Sequence, residues 1–475
     1  MSQIKKTKIV ATLGPACSSK ETMKKMILAG VNVFRINFSH ADYSDVEKTV
    51  KSIRELNIET GQNTTILADL QGPKLRVGVM EEAYLKEGDL FTFTTEKCIG
   101  NSKKAFMTYQ KFPQDVRKGE HILVDDGKLL FEVIDSDKKK TVTAKVIRGG
   151  ELNSKKGVNL PNTNISQPAL TKKDIEDAIF AIGLEVDWIA LSFVRTGDDL
   201  KQLHDLIKKH SAYKIPVIAK IEKPEAVKNI DSLIPFCDAI MVARGDLGVE
   251  IPMDEVPLIQ KRLVLRAKQA RIPVIIATQM MESMIENLVP TRAEVNDVAN
   301  SIMDGADAVM LSGETSVGVN PTNVIEHMTN IIKSVENSPL IKVPLDAPFI
   351  KTNRYISKAV CHHAALMAND INAKAISTLT NSGYTAFQIS AWRPSNAHIL
   401  AFTSNRRILT MLNLLWGVSA FYYDNLVNTD TTVREINKIA QDRGFINKND
   451  YVINLTSMPV KEKGMVNTLR VTQID

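Results

Sequence analysis

The sequence predicts an α/β protein built on a (β/α)8 TIM barrel, with a β-barrel-like lid domain inserted into it and an α/β domain at the C-terminus. Three observations predict this: eight short β-rich apolar runs separated by helical patterns, a polar residue closing most of them, and a break in the period after Asp69. Strand and helix in alternation argue for a parallel sheet, and eight parallel strands for a closed barrel.

The barrel strands are expected at 8–12, 33–37, 65–69, 188–192, 217–222, 239–243, 274–278 and 308–312. Seven end in Thr12, Asn37, Asp69, Ser192, Glu222, Thr278 and Ser312, on the rim where barrel enzymes place their chemistry. One such residue could simply mark entry into a loop; seven together point to a site. From Gly72 to Gln167 the text turns to short alternating strands with the turn signals Asp126, Gly127 and Gly149, Gly150. Residues 72–167 are therefore expected to form an inserted lid, hinged near Gly72, Pro73 and near Gln167, Pro168, with the barrel at 1–71 and 168–338. Lys138, Lys139 and Lys140, following Asp137, read as a solvated hairpin turn. Ser338, Pro339 and Pro344 mark a linker to an α/β domain at 339–475, with strands expected at 373–378, 399–403, 418–422, 451–455 and 469–474.

With 475 residues the chain has room for three domains, and its 44% hydrophobic and 24% charged composition is that of an ordinary soluble protein. No apolar run reaches membrane-spanning length and the N-terminus lacks a signal-peptide pattern, so a cytoplasmic location is expected, without a membrane partner. Cys17, Cys98, Cys237 and Cys361 are scattered and indicate neither disulfides nor zinc. A net charge of +6 builds no nucleic-acid stripe and suits a small anionic substrate.

The strongest chemical signal is the run Pro216 to Lys223, because residues two apart on a strand point to the same side. Lys220 and Glu222 therefore share one site, as a structural ion pair or as an ammonium facing an oxyanion beside a metal-binding carboxylate. The next strand leads into Arg244, Gly245, Asp246, Leu247 and Gly248, bringing a second carboxylate to the rim. Asp246 could cap a helix and also bind metal; two carboxylates with substrate oxygens suit Mg²⁺ or Mn²⁺. His362 and His363 read as helix-surface or packing residues, and Met280, Met281 and Met284 as core.

The segments 215–227 and 241–250 resemble the active-site signatures of the pyruvate kinases. Arg35 to His40, Asp69 to Arg76, Ala277 to Met284 and Leu311 to Thr315 match the same family in order and spacing, so the resemblance covers nearly the whole chain. It implies phosphoryl transfer from phosphoenolpyruvate to ADP, giving pyruvate and ATP, with Mg²⁺ or Mn²⁺ as cofactor. Arg35 and Lys220 would grip the phosphoryl group, and Lys220 would also stabilise the enolate oxygen. Glu222 and Asp246 would hold the metal. Gly245, Asp246 and Thr278 would hold the substrate carboxylate, and Thr278 and Ser312 would belong to a proton relay. Asn37, Phe38, Ser39, His40, Arg76 and Lys173 are similar to nucleotide contacts. Ser312 and Glu314 fit ordinary turn and capping chemistry as well as a relay.

Members of the family that require K⁺ bind it through residues matching Asn37, Ser39, Asp69 and the position of Leu70, with glutamate at the position of Lys74. Leu70, Gln71 and Lys74 resemble the K⁺-independent pattern instead, with the Lys74 ammonium replacing the ion. The alternative reading of Lys74 is a solvated lid-hinge residue. The loop holding Thr380, Ser382, Gly383 and Thr385 resembles the family's effector-phosphate loop, whereas 458–464 lacks the Trp and Arg that some members use for a sugar bisphosphate. The family also implies a homotetramer. Two rival functions stand beside this one: a Mg²⁺-dependent (β/α)8 lyase or aldolase acting on a pyruvate enolate, and a non-catalytic metabolite sensor. Arg76, Lys173 and a nucleotide-covering lid speak against the lyase; Lys220, Glu222, Asp246 and Thr278 speak against the sensor.

Overall fold

The structure is a computed structural model and describes residues 4–338, 354–458 and 465–475. The linker positions Pro339 and Pro344 and all but Met458 of the 458–464 stretch lie outside the described residues, as does the side chain of His40.

Eight parallel strands close into a barrel: β1 (Lys8–Thr12), β2 (Val33–Asn37), β3 (Thr65–Asp69), β4 (Trp188–Leu191), β5 (Val217–Ile221), β6 (Ala239–Ala243), β7 (Val274–Ala277) and β8 (Ala308–Leu311). Each is buried on both faces, which is why their sequences read as continuous apolar runs. Period two still sorts the residues. Val10, Leu67, Ile218, Met241 and Ile275 fill the interior, while Ile9, Ala219 and Ile276 pack outward on the helices. Lys220, two residues after Ile218, therefore points into the barrel mouth.

Local sequence explains where the helices begin. Thr171 with Asp174 and Thr291 with Glu294 form reciprocal capping boxes that start Lys172–Gly183 and Arg292–Met303. Leu414 of the C-terminal domain packs into the interior cluster of the barrel at the end opposite the mouth, with Phe387 and Met411 against it.

Between β3 and β4 the chain forms a six-stranded sheet and a two-stranded ribbon around their own core, including Phe91, Phe93, Phe112 and Phe131. The lysine run at 138–140 joins two antiparallel strands, Leu129–Ser136 and Thr141–Arg148, and the Asp137 carboxylate accepts the N–H groups of Lys139, Lys140 and Thr141. The C-terminal domain carries a five-stranded sheet: Ala375–Leu379, His398–Thr403, Val418–Tyr422, Tyr451–Thr456 and Thr468–Gln473, the last strand antiparallel. Met280, Met281 and Met284 are core, Cys17, Cys237 and Cys361 are buried free thiols, and His362 packs its ring on Trp392.

Candidate active site

The C-terminal ends of the strands bring a dense charge cluster together. Arg35, on β2, donates from Nε to Asp69 Oδ2 at 2.6 Å and from Nη1 to the Thr12 hydroxyl at 3.0 Å. Lys220 donates to the Ser192 hydroxyl at 2.7 Å and lies 2.9 Å from Glu222 Oε1 and 3.3 Å from Asp69 Oδ1. Ser192 passes its own proton to the Leu70 carbonyl at 2.6 Å, leaving its oxygen to accept from Lys220. Glu222 Oε2 accepts the Phe193 N–H at 2.8 Å. Five barrel strands or their immediate ends thus fix one ammonium and one guanidinium against two carboxylates.

The electrostatics follow from this enclosure. Burial pulls the Lys220 ammonium down, but Asp69 and Glu222 together more than offset it, so the group is held above the ordinary lysine range. Burial pushes the Asp69 carboxyl up, and the charges of Lys220 and Arg35 overcome that and hold it below the usual carboxylate range. Glu222 goes the other way: burial lifts it, Lys220 opposes, and the negative charge of Asp246 adds to the lift. Two carboxylates that raise each other's energy in a cleft make a natural cradle for a divalent cation.

Asp246 lies in the first turn of the short helix Arg244–Glu250, partly exposed, and its carboxylate has no partner among the described residues. Glu222 is 1% exposed and shows one oxygen to Lys220. This donor set of two carboxylates fits a hard ion that completes its shell with water and substrate oxygens. Among the described residues no group of three His, Cys, Asp or Glu side chains forms a closed metal cage.

Gly245 donates its N–H to the Thr278 hydroxyl at 2.7 Å, and that hydroxyl donates to the Ala277 carbonyl at 2.6 Å. A Cβ on Gly245 would sit 3.3 Å from Thr278 Oγ1, so glycine permits the approach. Arg244 braces the same turn, bonded to Asp297 at 2.7 Å and to the Thr278 carbonyl at 2.7 Å. Three non-glycine residues at the rim adopt left-handed backbone: Phe193 at φ 54°, Thr278 at 71° and Gln279 at 53°. For β-branched Thr278 this costs on the order of 1–3 kcal/mol, strain of the kind concentrated at functional sites.

The other expected residues divide. Asn37 accepts the Ser39 N–H at 3.1 Å and caps the turn Phe38–His40, and Lys173 reaches that turn through the Phe38 carbonyl at 2.8 Å while pairing with Asp177 at 2.5 Å. Arg76 bonds the Lys155 carbonyl at 2.8 Å, inside the 72–167 segment, and makes no described contact with residues 37–40. Lys74 is exposed on a cleft wall it shares with Asp126, Lys223 and Asp246; among the described residues nothing joins it to Asp69, whose oxygens face Arg35 and Lys220. No described hydrogen bond joins Thr278 to Ser312. The Glu314 carboxylate accepts the Ser312 and Met281 N–H groups at 2.7 and 3.2 Å, a structural use, and burial raises its pKa. In the C-terminal loop the Thr380 hydroxyl accepts the Gly383 N–H at 3.0 Å, Ser382 is exposed and Thr385 is buried in the helix Tyr384–Ala391.

Sequence reasoning missed one cluster. Lys223 pairs with Glu250 at 2.7 Å, and Asn159 of the inserted segment donates to the same Glu250 oxygen at 2.8 Å. The second oxygen of Glu250 is buried without a hydrogen-bond partner among the described residues. Ser192 was visible only as a polar strand end.

Comparison with known proteins gives one family throughout. The family description "Pyruvate kinase, barrel domain" matches residues 4–325, and "Pyruvate kinase, alpha/beta domain" matches 358–472. The chain is similar to the pyruvate kinase of Mycobacterium intracellulare, at 40% identity over 98% of both chains. It is likewise similar to that of Corynebacterium glutamicum, at 41% identity over 98% of this chain and 97% of the relative. Among solved structures, a pyruvate kinase from Cryptosporidium parvum superposes with a TM-score of 0.92 at 32% identity, over 99% of this chain and 96% of that one.

Proposed function

We propose, from the premise that this chain belongs to the pyruvate kinase family and is a phosphotransferase making pyruvate and ATP from phosphoenolpyruvate and ADP, that the reaction runs at the mouth of its barrel. The observation that carries this reading is the Lys220 ammonium, held charged between Asp69, Glu222 and Ser192 and facing the same rim as Arg35. Phosphoryl transfer needs in-line positioning and dispersed positive charge more than covalent chemistry. Arg35 and Lys220 grip the phosphoryl group as the ADP oxygen bonds to phosphorus and the bond to the enol oxygen breaks. Lys220 then faces the enolate oxygen.

The family's divalent metal requirement is met by Glu222 and Asp246, and the ion when bound supplies charge neutralisation. The hydroxyl of Thr278 and the backbone of Gly245 and Asp246 hold the substrate carboxylate, with Arg244 bracing their turn. A proton then reaches carbon through a path that includes the hydroxyls of Thr278 and Ser312. Asn37, Phe38, Ser39, His40, Arg76 and Lys173 receive the nucleotide; Lys173 already touches the 37–40 turn, which supports that grouping. The inserted segment 72–167 acts as a lid that excludes water, with Asn159 on Glu250 as a latch. Gly72 supports a hinge, since its φ of +70° and the 2.8 Å that a Cβ would leave to Phe193 admit only glycine without strain.

Leu70, Gln71 and Lys74 support transfer without K⁺, the Lys74 ammonium entering the cleft beside Asp246 when the lid closes. The loop 380–385 receives a phosphorylated effector, and the family resemblance supports a homotetramer working in the cytoplasm. No described helix is long and apolar enough to cross a membrane. The test is a coupled pyruvate assay with phosphoenolpyruvate, ADP and Mg²⁺ in K⁺-free buffer. Near-full activity there, with a K⁺ requirement appearing in Lys74→Glu, is expected; several-fold activation of the unmodified protein by KCl but not NaCl would overturn the Lys74 role.

A further inference from the structure

Beside the barrel mouth, one carboxylate ties together two elements that meet at the turn Phe38–His40. Asp177 lies in the helix Lys172–Gly183 with its side chain 2% exposed. One of its oxygens accepts the Tyr43 hydroxyl at 2.8 Å and the other the Lys173 ammonium at 2.5 Å. Tyr43 opens the helix Tyr43–Thr60, just past that turn, and its ring stacks on Phe180 with the centroids 4.0 Å apart. Burial, with the hydrogen bond to Asp177 and its charge, pushes the Tyr43 hydroxyl up to about 12, so it stays a donor through the neutral range.

Two features set this aspartate apart from an ordinary helix ion pair. The favourable order in a helix places the acidic residue four positions before the lysine, and here the lysine comes first. The carboxylate is also buried, and a buried pair gains little stability over apolar packing of the same volume. Neither the helix nor the core accounts for a charge at this position. What it achieves is geometric. The Lys173 side chain is 48% exposed, yet its ammonium is fixed by two acceptors, Asp177 and the Phe38 carbonyl at 2.8 Å, which leaves a third N–H without a partner among the described residues.

We infer that Asp177 is a positioning residue for the nucleotide: its two oxygens hold the Lys173 ammonium against the turn Phe38–His40 and the start of the helix Tyr43–Thr60, so that the remaining N–H meets an ADP phosphate already in place. The gain is preorganisation. A free lysine loses rotamer freedom on binding an anion, whereas one already held has little left to lose. With both oxygens occupied and 2% exposed, the carboxylate itself is withdrawn from the incoming phosphate.

The role rests on Lys173 receiving the nucleotide, and one mutant cycle tests the two separately. Steady-state assays on the full chain vary ADP and phosphoenolpyruvate in turn, with the Tm of each variant recorded. Asp177→Asn keeps the size and an acceptor for Tyr43 but removes the charge. It is expected to raise the KM for ADP tenfold or more, with the KM for phosphoenolpyruvate and kcat at saturating ADP within twofold. Tyr43→Phe keeps the stacked ring and frees one oxygen of Asp177; it is expected to raise the KM for ADP at least threefold with the same split. If Asp177→Asn does not fold, an unchanged KM for ADP in Tyr43→Phe overturns the role. In a Lys173→Met background, Asp177→Asn is expected to add less than twofold. A KM for ADP that rises in Lys173→Met but not in a folded Asp177→Asn would overturn the positioning role and leave Lys173 standing. So would an equal factor in both backgrounds, or equal rises in the KM of both substrates, which mark a merely structural residue. A KM for ADP unchanged in Lys173→Met would overturn both.

Discussion

Replacing Lys220 by methionine removes the ammonium that faces both Asp69 and Glu222, at 3.3 and 2.9 Å, while keeping an unbranched apolar stem one atom shorter. Two effects follow, and they are separable. Loss of a preorganised donor from developing charge costs about 10²–10³ in kcat, equivalent to roughly 2.7–4 kcal/mol of barrel-mouth stabilisation of the transition state. In the fold, removing one partner of a buried pair costs at most about 3–5 kcal/mol. Here the loss is smaller, because Asp69 keeps Arg35 at 2.6 Å and Glu222 keeps the Phe193 N–H at 2.8 Å. Thermal unfolding should then show a folded protein with a lowered Tm. Steady-state kcat at saturating Mg²⁺, phosphoenolpyruvate and ADP should fall by two to three orders of magnitude or more, with Mn²⁺ still bound. A folded variant turning over at near the unmodified rate would refute the assignment of Lys220 to the reacting oxygens.

Three further outcomes are expected. Glu222→Gln and Asp246→Asn should each raise the Mg²⁺ concentration needed for half-maximal activity, and unchanged metal dependence in both would remove them as ligands. Asn159→Ala cuts the bond to Glu250, so hydrogen exchange in 72–167 should quicken in the substrate complex and the KM for ADP should rise; identical exchange with and without substrates in the unmodified protein would end the lid reading. Burial, with the charges of Lys6 and Lys8, lowers His398 from 6.5 to about 4, so the unfolded chain takes up a proton that the folded one refuses. The contribution of this group to stability is accordingly full above about pH 6.5 and is lost as pH falls toward 4. His398→Asn should flatten that slope, and an equal slope in the variant would assign it to other groups.

The parts of the molecule set by short-range pattern were legible. β1, β2, β3 and β6 begin and end where the apolar runs do, and period two put Lys220 and Glu222 on the interior side. β4, β5, β7 and β8 stop one residue short of expectation, at Leu191, Ile221, Ala277 and Leu311. At β7 the reason is visible: Thr278 turns to φ 71°, which no strand continues. What was not legible depends on pairs distant in the chain. Nothing in the local pattern around Asn159 or Glu250 announces a bond between residues 91 apart, and Ser192 acquires its role only when β4 and β5 become neighbours. Arg76 illustrates the limit from the other side, since its motif is matched while its guanidinium is held by Lys155 within the inserted segment.

In the proposed reaction phosphorus passes directly from phosphoenolpyruvate to ADP at the barrel mouth. Phosphorus NMR of the full chain with Mg²⁺ follows both resonances in one sample. The ATP γ-phosphate is expected to grow at the rate at which phosphoenolpyruvate disappears, and both rates to collapse together in Lys220→Met. Consumption of phosphoenolpyruvate with release of inorganic phosphate and no ATP, or transfer that persists undiminished in a folded Lys220→Met protein, would contradict it.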